Sequence, residues 1–400
     1  MATTTSARLA LGFSCVGHSF AHLLMLLYPT VVLSLESAWD QPFEALIGLM
    51  LVSQVLFGFG AVPAGWLGDR WSAPGMMAVF FLGTGVAAIA TGFADGPLGI
   101  AAGLAAIGLF ASIYHPVGIA WVTRNPLNRG RALGINGIFG SLGTAGGAVV
   151  AGGLATAFGW QWAFIVPGAL CVAVGIVLVL LIAGGRVADT RDRGRSAPAE
   201  SSRGDMLRGG LVLLLTIGCA GLIYQTTSFA MPKLFEQRLT GLVDTTAGVG
   251  ALVSVVYLIS ASAQIIGGWL ADRYDLRRVY LICWLLQIPI LAVAVTLAGP
   301  ILIPVATLMV LINTMAVPAE NSLFARYTPP AWRGTAFGVK FLVSLGVAAV
   351  SVPLVGEMYR SFQEFGPLLG TLAVAAAVGA VAAVLLPTAR RAPEAPQPAE

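Results

Sequence analysis

Gly65-Trp66-Leu67-Gly68-Asp69-Arg70 returns 203 residues later as Gly268-Trp269-Leu270-Ala271-Asp272-Arg273, and each copy closes an apolar stretch long enough to cross a membrane. Other landmarks keep nearly the same offset: Pro29 with Pro232, Pro116 with Pro318, and Arg129-Gly130 with Arg333-Gly334. Half of the chain therefore repeats the other half. A spacing held through several apolar segments points to a duplicated bundle whose halves meet at a pathway for a solute.

Composition agrees. Of 400 residues, 57% are hydrophobic and only 10% charged, with a mean hydropathy of +0.86. Soluble domains carry about a quarter charged residues, so the chain reads as an integral membrane protein. Apolar periods place spans near residues 9–33, 43–67, 75–94, 97–122, 132–158 and 160–184, and again near 209–233, 246–270, 278–298, 300–325, 334–358 and 366–387. Backbone amides in lipid need internal partners, so these segments are expected to be helices. The expected fold is an all-α membrane protein of twelve transmembrane helices in two pseudo-symmetric six-helix bundles. The bundles cover 1–184 and 209–389, a polar cytoplasmic linker covers 185–208, and a disordered cytoplasmic tail covers 390–400. The run Gly140-Ser141-Leu142-Gly143-Thr144-Ala145-Gly146-Gly147 spaces small residues for close helix packing, with a flexible hinge as the rival reading.

All but four of the 22 Lys and Arg residues fall on one side of these spans, the exceptions being Lys233, Arg238, Lys340 and Arg360. That asymmetry places both termini in the cytoplasm, and the expected site is the bacterial inner (plasma) membrane. The net charge of +4 fits positive loops facing anionic lipid. No basic, aromatic-interleaved platform for nucleic acid is present. The first span follows a lone Arg8 without a small-residue cleavage site, so it is expected to stay. Cys15, Cys171, Cys219 and Cys283 lie in apolar segments without metal-binding spacing and read as small hydrophobes. No H-E-x-x-H, G-x-S-x-G or P-loop motif occurs, so no enzyme, cofactor or direct use of ATP is expected. The energy for transport must come from gradients.

The doubled Gly-Trp-Leu-x-Asp-Arg, the twelve spans and Gly159-Trp160-Gln161-Trp162-Ala163-Phe164 at the sixth span resemble the major facilitator superfamily over most of the chain. Within it, Gly17-His18-Ser19-Phe20-Ala21-His22 with Tyr28-Pro29, and Ser112-Ile113-Tyr114-His115-Pro116-Val117-Gly118, look like the fosmidomycin-resistance group of efflux carriers. The resemblance implies alternating access between two six-helix domains, with helices one, four, seven and ten around a central cavity. It makes Asp69, Arg70, Asp272 and Arg273 candidates for a cytoplasmic gate, the rival reading being a topogenic turn. Arg129 and Arg333 resemble family positions at the cytoplasmic ends of helices five and eleven, which makes them further candidates for closing the inner gate or capping carbonyls, with topology alone as the rival reading. After Arg70, where the family places a further Gly and basic residues, this chain has Trp71-Ser72-Ala73-Pro74; the second copy keeps Arg277 and Arg278. The first gate is therefore expected to be built differently.

Polar groups inside spans point to chemistry, because lipid penalises them unless they find partners or water. His18 and His22 lie one helical turn apart, and His115 precedes Pro116 in the fourth span. With an ordinary pKa of about 6.5, histidine can bind anions, accept a hydrogen bond or carry a proton. The plainer alternative is a neutral histidine satisfying nearby carbonyls. A metal is not expected, since no carboxylate or thiol shares the spacing. In the second half, Gln225 corresponds to His22 in the repeat and has Tyr224 beside it. Glu320 and Lys340 are expected to pair as a structural bridge or as a coupling carboxylate and its cation, with Asn313 nearby and Asn136 at the repeat position of Lys340. Glu36, Asp40 and Glu44 read as solvated loop charge, with an acidic mouth around Trp39 that attracts cations as the alternative.

The leading expectation is a monomeric secondary transporter in the lipid bilayer, exporting a small organic or drug-like solute with protons as coupling ion. Uptake of a small organic anion and a non-transporting receptor are the alternatives.

Overall fold

The computed structural model describes residues 4–124, 129–187, 203–328 and 333–387. Among them there is no strand, and twelve helical spans are long and apolar enough to cross a membrane. They are α1 (Thr5–Trp39), α2 (Phe43–Arg70), α3 (Ala73–Gly92), α4 (Pro97–Thr123), α5 (Arg131–Phe158), α6 (Trp162–Ala183), α7 (Gly204–Arg238), α8 (Thr246–Arg273), α9 (Leu276–Ala294), α10 (Leu302–Arg326), α11 (Gly338–Phe362) and α12 (Gly366–Val384). The expected spans agree with these to within a few residues at most ends. Most of the expected linker and the whole of the expected tail lie outside the described residues. Residues 203–208 of that linker begin the helix Arg203–Arg238.

Several spans are interrupted where proline removes a backbone donor and crowds the preceding turn. α1 breaks at Leu27, just before Tyr28-Pro29. α10 breaks at Ala316, ahead of Pro318. In α4 the break takes the form of a wide π-helical turn, Tyr114–Gly118, built around Pro116. The paired prolines of the sequence repeat thus mark paired irregularities in α4 and α10.

α3, α6, α9 and α12 present large apolar side chains outward, among them Val86, Leu180, Ile282 and Val381, each more than half exposed. Such surface is unfavourable in water and suits acyl chains. The other eight spans enclose the centre. Small residues bring them close: a Cβ on Gly143 would fall 2.3 Å from the Ser19 carbonyl oxygen, so the glycine run of α5 packs tightly on α1.

On the side away from the chain termini the two halves lock together. A Cβ on Gly250 (α8) would lie 2.3 Å from the Ala148 carbonyl oxygen (α5), and one on Gly152 would lie 2.4 Å from that of Thr246. Ser254 Oγ donates to the Ala145 carbonyl and accepts from the Val149 amide at 3.0 Å. The rings of Phe43 (α2) and Tyr359 (α11) pack at 5.0 Å. Lys233 of α7 grips Glu36 of α1 at 2.8 and 2.9 Å, and also holds Glu236 at 2.6 Å. Glu36 is therefore not solvated loop charge: it sits inside α1 with its side chain 21% exposed, and it ties one half to the other.

Gly250→Val should overpack this seam and cost about 1–3 kcal/mol, read as a lower thermal unfolding midpoint of the protein in detergent. An unchanged midpoint would contradict the close approach of α5 and α8. For the ion pair, a double-mutant cycle on Glu36→Gln and Lys233→Met should show a coupling on the order of 1 kcal/mol, with the double variant less destabilised than the sum of the singles.

Candidate functional site

Between the halves lies a cavity of about 280 Å³. Its lining comes from α1, α2, α4 and α5 of the first half and α7, α8, α10 and α11 of the second. The resemblance led to an expectation of helices one, four, seven and ten there, and the structure adds two, five, eight and eleven. His18, His22, His115, Tyr224, Gln225, Asn313 and Glu320 all face this space. Lys340 reaches it through Glu320. Gln54, Phe57, Tyr257, Gln264 and Phe341 complete much of the wall and were not singled out in the sequence.

The first-half wall is a compact group of imidazoles. The ring centroids of His18 and His22 are 5.0 Å apart, and each lies 5.4 Å from that of His115. The π-helical turn of α4 supplies His115 and Tyr114 together, and the Tyr114 ring stacks on His18 at 4.8 Å. Asn136 fastens the group from behind. Its carbonyl accepts from His18 Nδ1 at 2.8 Å, and its side chain exchanges hydrogen bonds with the Tyr114 hydroxyl at 2.9 and 3.1 Å. Gly140 leaves room for the His18 ring, since a Cβ there would lie 2.5 Å from it. His115 stacks on Phe341 of α11 at 5.5 Å, joining the halves at the level of the cavity. Neither ring nitrogen of His115 has a hydrogen-bond partner among the described residues, although the side chain is buried.

The second-half wall is charged. Lys340 Nζ lies 2.9 Å from Glu320 Oε1, with the two side chains 6% and 7% exposed. Tyr280 donates to Glu320 Oε2 at 3.0 Å, and Asn321 accepts from Lys340. A buried pair needs such additional partners, because desolvating two ions costs several kcal/mol each. Asn313 donates to the Ala220 carbonyl at 3.3 Å, which links α10 to α7. Tyr224 and Tyr257 meet edge to face at 6.1 Å, and the Tyr257 hydroxyl shares a hydrogen bond with Ser228 at 2.6 Å.

At the terminal side, the repeated motif acts through its tryptophans. The Arg70 guanidinium lies 4.2 Å above the Trp66 ring, and Arg273 lies 5.2 Å above Trp269. The i, i+4 spacing of Trp and Arg permits this cation–π contact on one helical face. Gly65 and Gly68 of the first copy set α2 against Pro116 and Val117 of the π-helical turn. Asp69 pairs with Arg124 at the end of α4, a partner the sequence did not nominate. No ion pair involves Asp272 among the described residues. Arg129 and Arg333 start described helical segments, but their side chains lie outside the described residues.

Comparison with known proteins follows the same lines. The family model described as the Major Facilitator Superfamily matches residues 9–339 and 240–400. A putative glycerol-3-phosphate transporter of Arabidopsis thaliana is 31% identical over 36% of this chain, which spans only 29% of that relative. The 4-hydroxybenzoate transporter PcaK of Pseudomonas putida is 26% identical over 78% of this chain and 77% of its own length. Among solved structures, a bacterial homolog of the human lysosomal transporter Spinster, inward-facing and occupied, superposes with a TM-score of 0.74 at 14% identity. That likeness covers 96% of this chain and 95% of the other. With the family model matching residues 9–339 and 240–400 of the chain and twelve spans enclosing a central cavity, the chain belongs to the Major Facilitator Superfamily of transporters.

Proposed function

We propose that the protein is a proton-coupled exporter of small amphipathic organic solutes, working by alternating access of residues 1–184 and 209–389 as two bodies. The observation that carries this reading is the buried Glu320–Lys340 pair on the cavity wall. A carboxylate and an ammonium held out of water form a two-state element, because protonation of the carboxylate would remove the ionic attraction while Asn321 still accepts from Lys340. Solute would lie against the aromatic and amide groups of the wall, with His22, Tyr224, Gln225 and Asn313 orienting its polar end and His18 and His115 shaping the opposite face. Export as the direction, the bacterial inner membrane as the site and the monomer as the working unit rest on the sequence features above. The arginine asymmetry supports cytoplasmic termini.

With that orientation, the locked seam is the external side and the arrangement is inward-facing. The motif arginines, the Asp69–Arg124 pair, Asp272, Arg129 and Arg333 would then form the cytoplasmic gate that closes when the external side opens. A second reading, uptake of a small organic anion, is favoured by the similarity to a 4-hydroxybenzoate carrier and by the ammonium at the cavity wall.

Glu320→Gln should destabilise the fold by about 3–5 kcal/mol by removing the carboxylate that offsets the Lys340 charge at depth. The double variant Glu320→Gln with Lys340→Met should recover most of that loss, measured by thermal unfolding in detergent. Growth of a pump-depleted bacterial host on a panel of toxic compounds tests function directly. At matched membrane abundance, the wild type should confer resistance to at least one compound and Asp69→Asn should lose it. In vesicles, efflux of that compound should accelerate with an acidic exterior, and the stable double variant should show no such response. Heightened sensitivity of the host, or uptake driven by external acid, would shift the assignment to anion import.

A further inference from the structure

We propose that His18, His22 and His115 form a binding site for one divalent transition-metal ion of the zinc class, with a fourth coordination position facing the cavity. The inference goes beyond the carrier reading, since equilibrium binding tests it whether or not any solute crosses.

The three side chains each offer one ring nitrogen, and these atoms lie within 4.8 Å of one another. Tetrahedral zinc, with Zn–N bonds of about 2.0–2.1 Å, sets its ligand nitrogens about 3.3 Å apart. Small rotations of the imidazoles would close that gap. His18 has the outer hydrogen bond with which metal-binding histidines are oriented. The Asn136 carbonyl can only accept, so His18 Nδ1 carries the proton and Nε2 keeps its lone pair for a ligand. Tyr114 stacks on that ring and is held in turn by the Asn136 side chain, which restricts the ring to one plane.

His115 provides the independent observation. Its side chain is only 6% exposed, yet neither nitrogen has a hydrogen-bond partner among the described residues. Leaving a buried polar atom unsatisfied is costly, and a metal ion would engage a lone pair that the protein leaves idle. His18 and His22 are partly open to the cavity, which provides a route of entry.

Donor chemistry narrows the ion. Imidazole suits zinc, copper, nickel and iron, whereas magnesium and calcium prefer oxygen. With no carboxylate or thiol in the group, the fourth position falls to water or to an anionic oxygen entering from the cavity. The sequence grouped the three histidines by helix, but not the closeness of their rings, because His115 comes from α4, more than ninety residues after His22.

These three are the only histidines of the chain, so the test is clean if the affinity tag contains none. The full-length protein, purified in detergent and stripped with a chelator, is titrated with Co2+ alone. We expect one equivalent bound, with visible absorption of a low-coordinate nitrogen site, displaced by Zn2+ and not by Mg2+. His22→Gln and His115→Gln should each weaken binding about 100-fold or more. Absence of saturable binding, or equal binding by the variant with all three histidines changed to Gln, would overturn the proposal. Should the variants fail to run as monodisperse protein, X-ray absorption of the zinc-loaded wild type decides. Three imidazole nitrogens at about 2.0–2.1 Å support the site, and an all-oxygen shell rejects it.

Discussion

Hydrocarbon offers a polar group no hydrogen-bond partner, and nearly every feature of this protein follows from that constraint. Backbone amides are satisfied inside helices, so the chain is helical throughout its described spans. Polar side chains at depth must turn inward, so α3, α6, α9 and α12 show lipid an apolar surface while the other eight spans gather the histidines, amides and ion pair around one cavity. The π-helical turn of α4 is covered by α1 and α2, and it places His115 on the cavity wall and Tyr114 behind it against His18.

The duplication has been put to different uses in its two halves. Asn136 and Lys340 stand at corresponding repeat positions and both anchor a polar cluster. Asn136 organises a group of imidazoles and a tyrosine hydroxyl, whereas Lys340 is grouped with Glu320, Asn321 and Tyr280. One scaffold thus presents a wall of soft nitrogen donors facing a wall that holds a buried ion pair. The two cavity walls, although related by the repeat, therefore differ in chemistry.

The repeated Gly-Trp-Leu-x-Asp-Arg segment also divides its labour. Its Trp and Arg stack on each other in both copies, which holds a positive charge at the end of the helix at modest cost. The glycines act in the first copy alone to admit α4, because the second copy has Ala271 where the first has Gly68 and no neighbour close to Gly268. Asp69 closes on Arg124 of its own half. That pair is mostly in water on the aspartate side, so its contribution to stability is small, and its value lies in orienting the ends of α2 and α4.

Span number, helical class, the repeat and the inward placement of rare polar residues could be read from the sequence. Each is written locally, in hydropathy, in glycine spacing and in residues that lipid would penalise. Glu320 and Lys340 were legible as a pair for the same reason, since two charges at similar depth have few other partners. The partners of Asp69 and Glu36 were not. Arg124 and Lys233 lie 55 and 197 residues away, and only the packing of α2 on α4 and of α1 on α7 brings them within reach. The same holds for the imidazole cluster: one helical turn relates His18 to His22, but the third ring arrives through the irregular turn at Pro116 and the contact of α1 with α4. Linear spacing encodes which residues share a helix face, while the meeting of faces depends on how helices pack.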